Sequence, residues 1–126
     1  MADYTRVYTG DDGLSHFEDL DFDYGDLSGA QTPAAQGVEA ASASPGNVIG
    51  AVFRRFALGN SGKHLAPRKQ YAIVLTGSLV VQTGDSEERR FGPGQVLLLD
   101  DTTGEGHLST FSHDEPCKCL VVQIGD

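Results

Sequence analysis

The chain has 126 residues, 39% of them hydrophobic, which is enough for one modest core and not for two. Eighteen acidic residues against nine basic ones give a formal net charge of -9, which argues against nucleic acid as a partner because phosphate binding needs clustered Lys and Arg. No apolar stretch approaches the length of a membrane span, and the first residues lack the apolar run of a signal peptide, so a soluble cytoplasmic protein is expected.

Taken in order, Arg6, Val7 and Tyr8 predict a short strand, closed by the turn formers from Thr9 to Gly13. His16 to Phe22 alternates weakly and reads as a second strand. From Gly25 to Gly46 the composition shifts to Gly, Ala, Ser, Gln and Pro. That segment reads as a long surface loop, a lid or a disordered insertion. Ala40 to Ser44 offers at most a helical turn, with no apolar stripe.

Val48 to Leu58 is a strong strand between the turn formers Pro45-Gly46 and Gly59-Asn60. Tyr71 to Leu75 and Ser78 to Gln82 predict a hairpin around Gly77. Glu87 to Phe91 is a polar strand, Val96 to Leu99 a buried one, and His107 to Phe111 alternates. Cys117 to Ile124 closes the sheet after the Asp114-Glu115-Pro116 turn. Many short strands with frequent turn signals predict an antiparallel sandwich or barrel, with no long amphipathic helix and no repeat. Cys117 and Cys119 lie one residue apart and share a strand face, where a disulfide would be strained. No disulfide framework follows, in keeping with a reducing compartment.

The stretch from Gly59 to His107 resembles the two motifs of the cupin family. The first motif is a glycine, His-any-His, a Glu four residues on, and a closing glycine. Here His64 takes the first histidine position, Ala66 the second, Gln70 the glutamate and Gly77 the closing glycine, with Gly59 one residue off upstream. The second motif is a Pro-Gly turn, a buried strand and a histidine, met by Pro93-Gly94 and His107. The resemblance covers about the last two thirds of the chain. It implies a single all-β cupin domain over residues 1–126, an antiparallel jelly-roll barrel or sandwich. Residues 1–46 would be N-terminal strands and loop, and 47–126 the barrel. It also implies a homodimer and a metal site in the barrel.

The family's metal site uses three histidines and a carboxylate. Ala66 removes one histidine and Gln70 replaces the carboxylate by an amide, leaving His64, Gln70 and His107 for a weakly held zinc, nickel, manganese or iron ion. The alternative is a metal-free pocket in which both histidines bond ligand or water. His64, Ala66 and Gln70 share one face if a strand runs through them.

The remaining candidates come from position and chemistry. Arg54 and Arg55 interrupt an apolar strand, so one of them points inward. That arginine either recognises a carboxylate, phosphate or enolate, or pairs with an acid such as Asp100. Arg68 lies near the pocket mouth, and Tyr71 has parity opposite to Gln70. Asp101 and Glu105 are candidate bases at the rim, although turn chemistry explains them equally well. The expected function is small-molecule catalysis with His64 and His107 as acid-base groups and Tyr71 and Asp101 in support. Arg54, Arg68 and Gln70 would hold the substrate. The expected reaction is isomerisation, cyclisation or elimination. A non-catalytic ligand binder or sensor is the rival.

Overall fold

The computed structural model describes residues 2–25, 40–57 and 59–125, with the backbone alone at 60 and 61. Ten strands follow one another: β1 Tyr4–Thr9, β2 Ser15–Leu20, β3 Val48–Phe56, β4 Gly59–His64, β5 Gln70–Thr76, β6 Leu79–Gln82, β7 Glu88–Phe91, β8 Val96–Asp100, β9 His107–Phe111 and β10 Cys117–Ile124. The described residues contain no helix, and so none long and apolar enough to cross a membrane. The all-β expectation holds. The helical turn considered at Ala40 to Ser44 does not form. The loop reading for residues 26–39 lies outside the described residues.

The strands make two open sheets rather than a closed barrel. One has six strands in the order β2-β1-β8-β5-β10-β3, and the other four in the order β4-β9-β6-β7. All pairings are antiparallel except β1 with β8. Period-two alternation decides what each sheet buries. On β10, Cys117, Cys119 and Val121 turn inward while Lys118 faces out. Val7, Val74, Leu97 and Val121 from the larger sheet meet Val81 and Phe91 from the smaller one in a single core. Each such side chain contributes about 1.5–3 kcal/mol by leaving water. The opposite parity of β5 and β8 carries Tyr71 and Leu98 to the outer face. There they pack with Tyr4 and Phe22, whose rings stack at 4.5 Å.

Two turns differ from expectation. β5 and β6 are not a hairpin: they belong to different sheets, and Gly77 carries the chain across. Its φ is 67°, and a Cβ there would meet the Glu115 and Pro116 carbonyls at 2.8 and 2.7 Å. Glycine is therefore required by both conformation and space. Gly59-Asn60, expected as turn formers, instead open strand β4, held by pairing with β9. The Gly92-Pro93-Gly94 turn does form, and Gln95 N donates to the Gly92 carbonyl at 3.1 Å before β8 begins.

A polar clasp joins the two sheets near β2. His16 on β2 bonds Asp12 through Nε2 at 2.9 Å and Asp85, in the β6–β7 turn, through Nδ1 at 2.9 Å. Carboxylates on both nitrogens favour the doubly protonated ring. The Asp12 bond chiefly raises the His16 pKa, and desolvation opposes it.

Candidate active site

The register of β4 and β9 places His64 opposite His107. Their ring centroids lie 4.7 Å apart with planes tilted 56°. Gly106 makes the approach possible. It has φ of 80°, and a Cβ on it would overlap the His64 carbonyl. Only a residue without a side chain lets the start of β9 press on the end of β4. No strand runs through from His64 to Gln70, contrary to the face-sharing expectation. β4 stops at His64, the chain bends through Pro67, and β5 starts at Gln70. Ala66 N donates to the Asp101 carbonyl at 3.1 Å and fixes that bend beside the buried strand β8.

Asp101 is 0% exposed and His107 2%. The Asp101 carboxylate accepts from His107 Nδ1 at 2.5 Å. When ionised the carboxylate has no proton to give, so the hydrogen of this bond sits on Nδ1. Asp101 Oδ1 is buried without a hydrogen-bond partner among the described residues. Such an atom costs about 1–3 kcal/mol. On the other ring, His64 Nδ1 donates to the Gly62 carbonyl at 2.9 Å.

Both imidazoles line a cavity of about 350 Å³ between the sheets. Phe56, Leu79, Leu99 and Phe111 give it apolar walls, and Phe56 and Phe111 stack face to face at 4.4 Å with 6° between planes. Gln70, Arg54 and Ser109 are its other polar lining groups. Cys119 also reaches it, with a thiol that burial pushes up to about 12, so it stays protonated and inert. A second hollow of about 310 Å³ lies beside β1 and β7. Two of its charges are paired with each other, Arg89 bonding Asp19 at 2.8 Å.

The structure therefore gathers His64, His107, Gln70 and Arg54 around one cavity, with Asp101 behind His107. It does not bring Tyr71 there: the ring sits on the outer face against Tyr4 and Phe22. Arg68 is exposed in the segment before β5 and does not line the cavity. Asp100, offered as a partner for Arg54 or Arg55, is held instead by Arg6 through Nε at 3.0 Å and Nη2 at 2.8 Å. Glu105 is exposed and paired with Lys63 at 2.9 Å. Ser109, Phe111 and Phe56 were not foreseen. The parity of β9 was a usable signal for the first two, since residues 107, 109 and 111 share a face.

The donors do not fit the four-ligand metal site that the family resemblance implies. They amount to two imidazoles and the Gln70 amide. Among the described residues no three His, Cys, Asp or Glu side chains stand close enough to hold an ion.

No family model matches the chain, and no curated protein does. Among solved structures it is similar to a protein of unknown function from Rhizobium leguminosarum bv. viciae 3841, with 26% identity, 60% of this chain and 69% of that one covered, and a TM-score of 0.49. It is also similar to a conserved protein of unknown function from Streptococcus pyogenes, with 16% identity, 61% and 76% covered, and a TM-score of 0.42.

Proposed function

We propose that the protein is a small-molecule enzyme of cupin type, with His107 and His64 as its acid-base groups. The observation that carries this reading is the Asp101–His107 pair. A buried ion pair is weak stabilisation compared with apolar side chains of the same volume. Here a fully buried carboxylate holds one imidazole nitrogen while its other oxygen has no hydrogen-bond partner among the described residues. That spends stability on the tautomer and orientation of a ring that lines a cavity, the usual mark of a working histidine.

In this reading Asp101 keeps the proton on Nδ1 while Nε2 of His107 takes a proton from the substrate. His64, its ring centroid 4.7 Å from that of His107, returns one. Two imidazoles on one small ligand suit isomerisation, cyclisation or elimination. Gln70 supplies an amide that can donate or accept, and the apolar walls exclude water. The donor set is short of ligands for a metal-bound step. The jelly-roll assignment is supported by the repeated passage of the chain between two sheets and by the Gly-Pro-Gly turn ahead of β8.

The test is turnover on a panel of small acids, ketones and lactones, with thermal melting of each variant. His64→Ala and His107→Ala should each lower turnover by about 100-fold or more with the fold intact. A rival reading, a non-catalytic binder or sensor, draws on the same apolar cavity. It predicts weaker ligand binding in both variants and no turnover in the parent protein.

A further inference from the structure

We infer that the cavity takes a small organic monocarboxylate with an apolar body, its carboxylate held by Arg54. This rests on reading the cavity as the working site. The chain carries eighteen acids and nine bases, yet among the described residues no Asp or Glu lines the cavity. Its ionisable lining groups are Arg54, His64, His107 and the protonated Cys119 thiol. Asp101 lies behind His107 with one oxygen already committed. An anion therefore enters without meeting a like charge at the wall.

Arg54 is the fixed positive charge among these groups, since a guanidinium stays protonated at any working pH. The acid expected to neutralise it, Asp100, is bonded twice by Arg6 from β1. Arg6, Lys63 and Arg89 all have ion-pair partners, whereas Arg54 has none among the described residues. Its side chain is exposed at the edge strand β3, opposite Cys119 of β10 and on the same strand face as Phe56. An incoming ligand can reach it.

One guanidinium fork matches one carboxylate. A phosphate dianion calls for more cations, and no lysine lines the cavity. The remaining wall, which includes the stacked Phe56 and Phe111, suits an aliphatic or aromatic body. The volume, about 350 Å³, lies at the small end of the roughly 300–1,000 Å³ range of ligand cavities.

The experiment is calorimetric titration with 3-phenylpropanoate, its amide and inorganic phosphate, on the parent protein, Arg54→Gln and Arg54→Lys. The acid should bind about ten-fold or more tighter than the amide or phosphate, and its affinity should fall with added salt. Arg54→Gln should remove that preference while leaving amide binding in place, and Arg54→Lys should restore part of it. An amide or phosphate that binds as well as the acid overturns the inference and leaves the cavity reading standing. So does acid binding that ignores Arg54→Gln. Binding of none of the three at millimolar concentration overturns both together.

Discussion

His107 is gripped at Nδ1 by a carboxylate that has no exposure of its own, so the first prediction concerns that bond. Asp101→Asn keeps the shape but offers an amide, which can donate to Nδ1 and move the ring proton to Nε2. Nitrogen-15 NMR of His107 should show the Nδ1–H tautomer in the parent protein and the Nε2–H tautomer in the variant. The fold should persist. An unchanged tautomer would mean that Asp101 does not set the ring. At this scale much was legible in the sequence. His64, Gln70 and His107 stand out by spacing, and Arg54 by its charge in an apolar strand. Asp101 was visible as a polar residue after a buried strand, but its role was not. What places it behind His107 is the pairing of separate strands, which no local pattern encodes. Tyr71 has parity opposite to Gln70, and that parity rather than its chemistry decides its place, on the outer face with Tyr4.

Two elements decide how the site is held. The β4–β9 pair exists because Gly106 carries no side chain. Gly106→Ala adds a left-handed residue, costing about 1–2 kcal/mol, together with a backbone overlap at His64. Urea unfolding should show a loss of at least about 2 kcal/mol, and parent-like stability would contradict the packing described. The His16 clasp ties β2 to the β6–β7 turn and gives a pH dependence. The folded pKa of His16 is raised above its ordinary value of 6.5. Its contribution is therefore fully present below about pH 6.5 and is lost as pH rises through the folded pKa. Asp12 is lowered, chiefly by the His16 bond, and Asp85 is lowered, chiefly by the Thr83 hydroxyl. Their contributions are lost on the acid side, as pH falls from about 4 through their folded pKa values. The difference in melting temperature between the parent protein and His16→Gln should be largest at about pH 5–6 and shrink as pH rises above about 6.5. A difference that grows with pH would reverse the sign and remove the clasp. Strand β4 escaped the sequence reading because Gly59, Asn60, Ser61 and Gly62 carry turn chemistry, which pairing with β9 overrides. The Gly77 hairpin failed for a related reason: a glycine between two apolar strands marks a reversal, and the sequence does not say into which sheet.

The described residues form two open sheets, and β3 stands at one end of the larger. Val48, Ile49 and Phe53 of that strand are 47, 52 and 79% exposed. An exposed apolar strand at the end of a sheet invites another strand. A second copy pairing antiparallel about Val52 would set Arg54 opposite Gly50 and Arg55 opposite Ile49, so no arginine faces another. Light scattering should then give a homodimer, and Val52→Lys with Phe53→Lys a monomer; a monomeric parent protein would remove this arrangement. The two-sheet class was legible because alternation and turn residues recur along the chain. The sheet membership of each strand was not, being settled by contacts between distant segments. The central claim is that the imidazole held by Asp101 moves protons on a small ligand. Deuterium incorporation from heavy water tests it most directly, because proton exchange at carbon registers even where net conversion is unfavourable. Small acids, ketones and lactones are incubated with parent protein and with His107→Ala, and followed by proton NMR. The account predicts wash-in at one position of at least one substrate, about 100-fold slower with the folded variant. Equal wash-in by both proteins would contradict it.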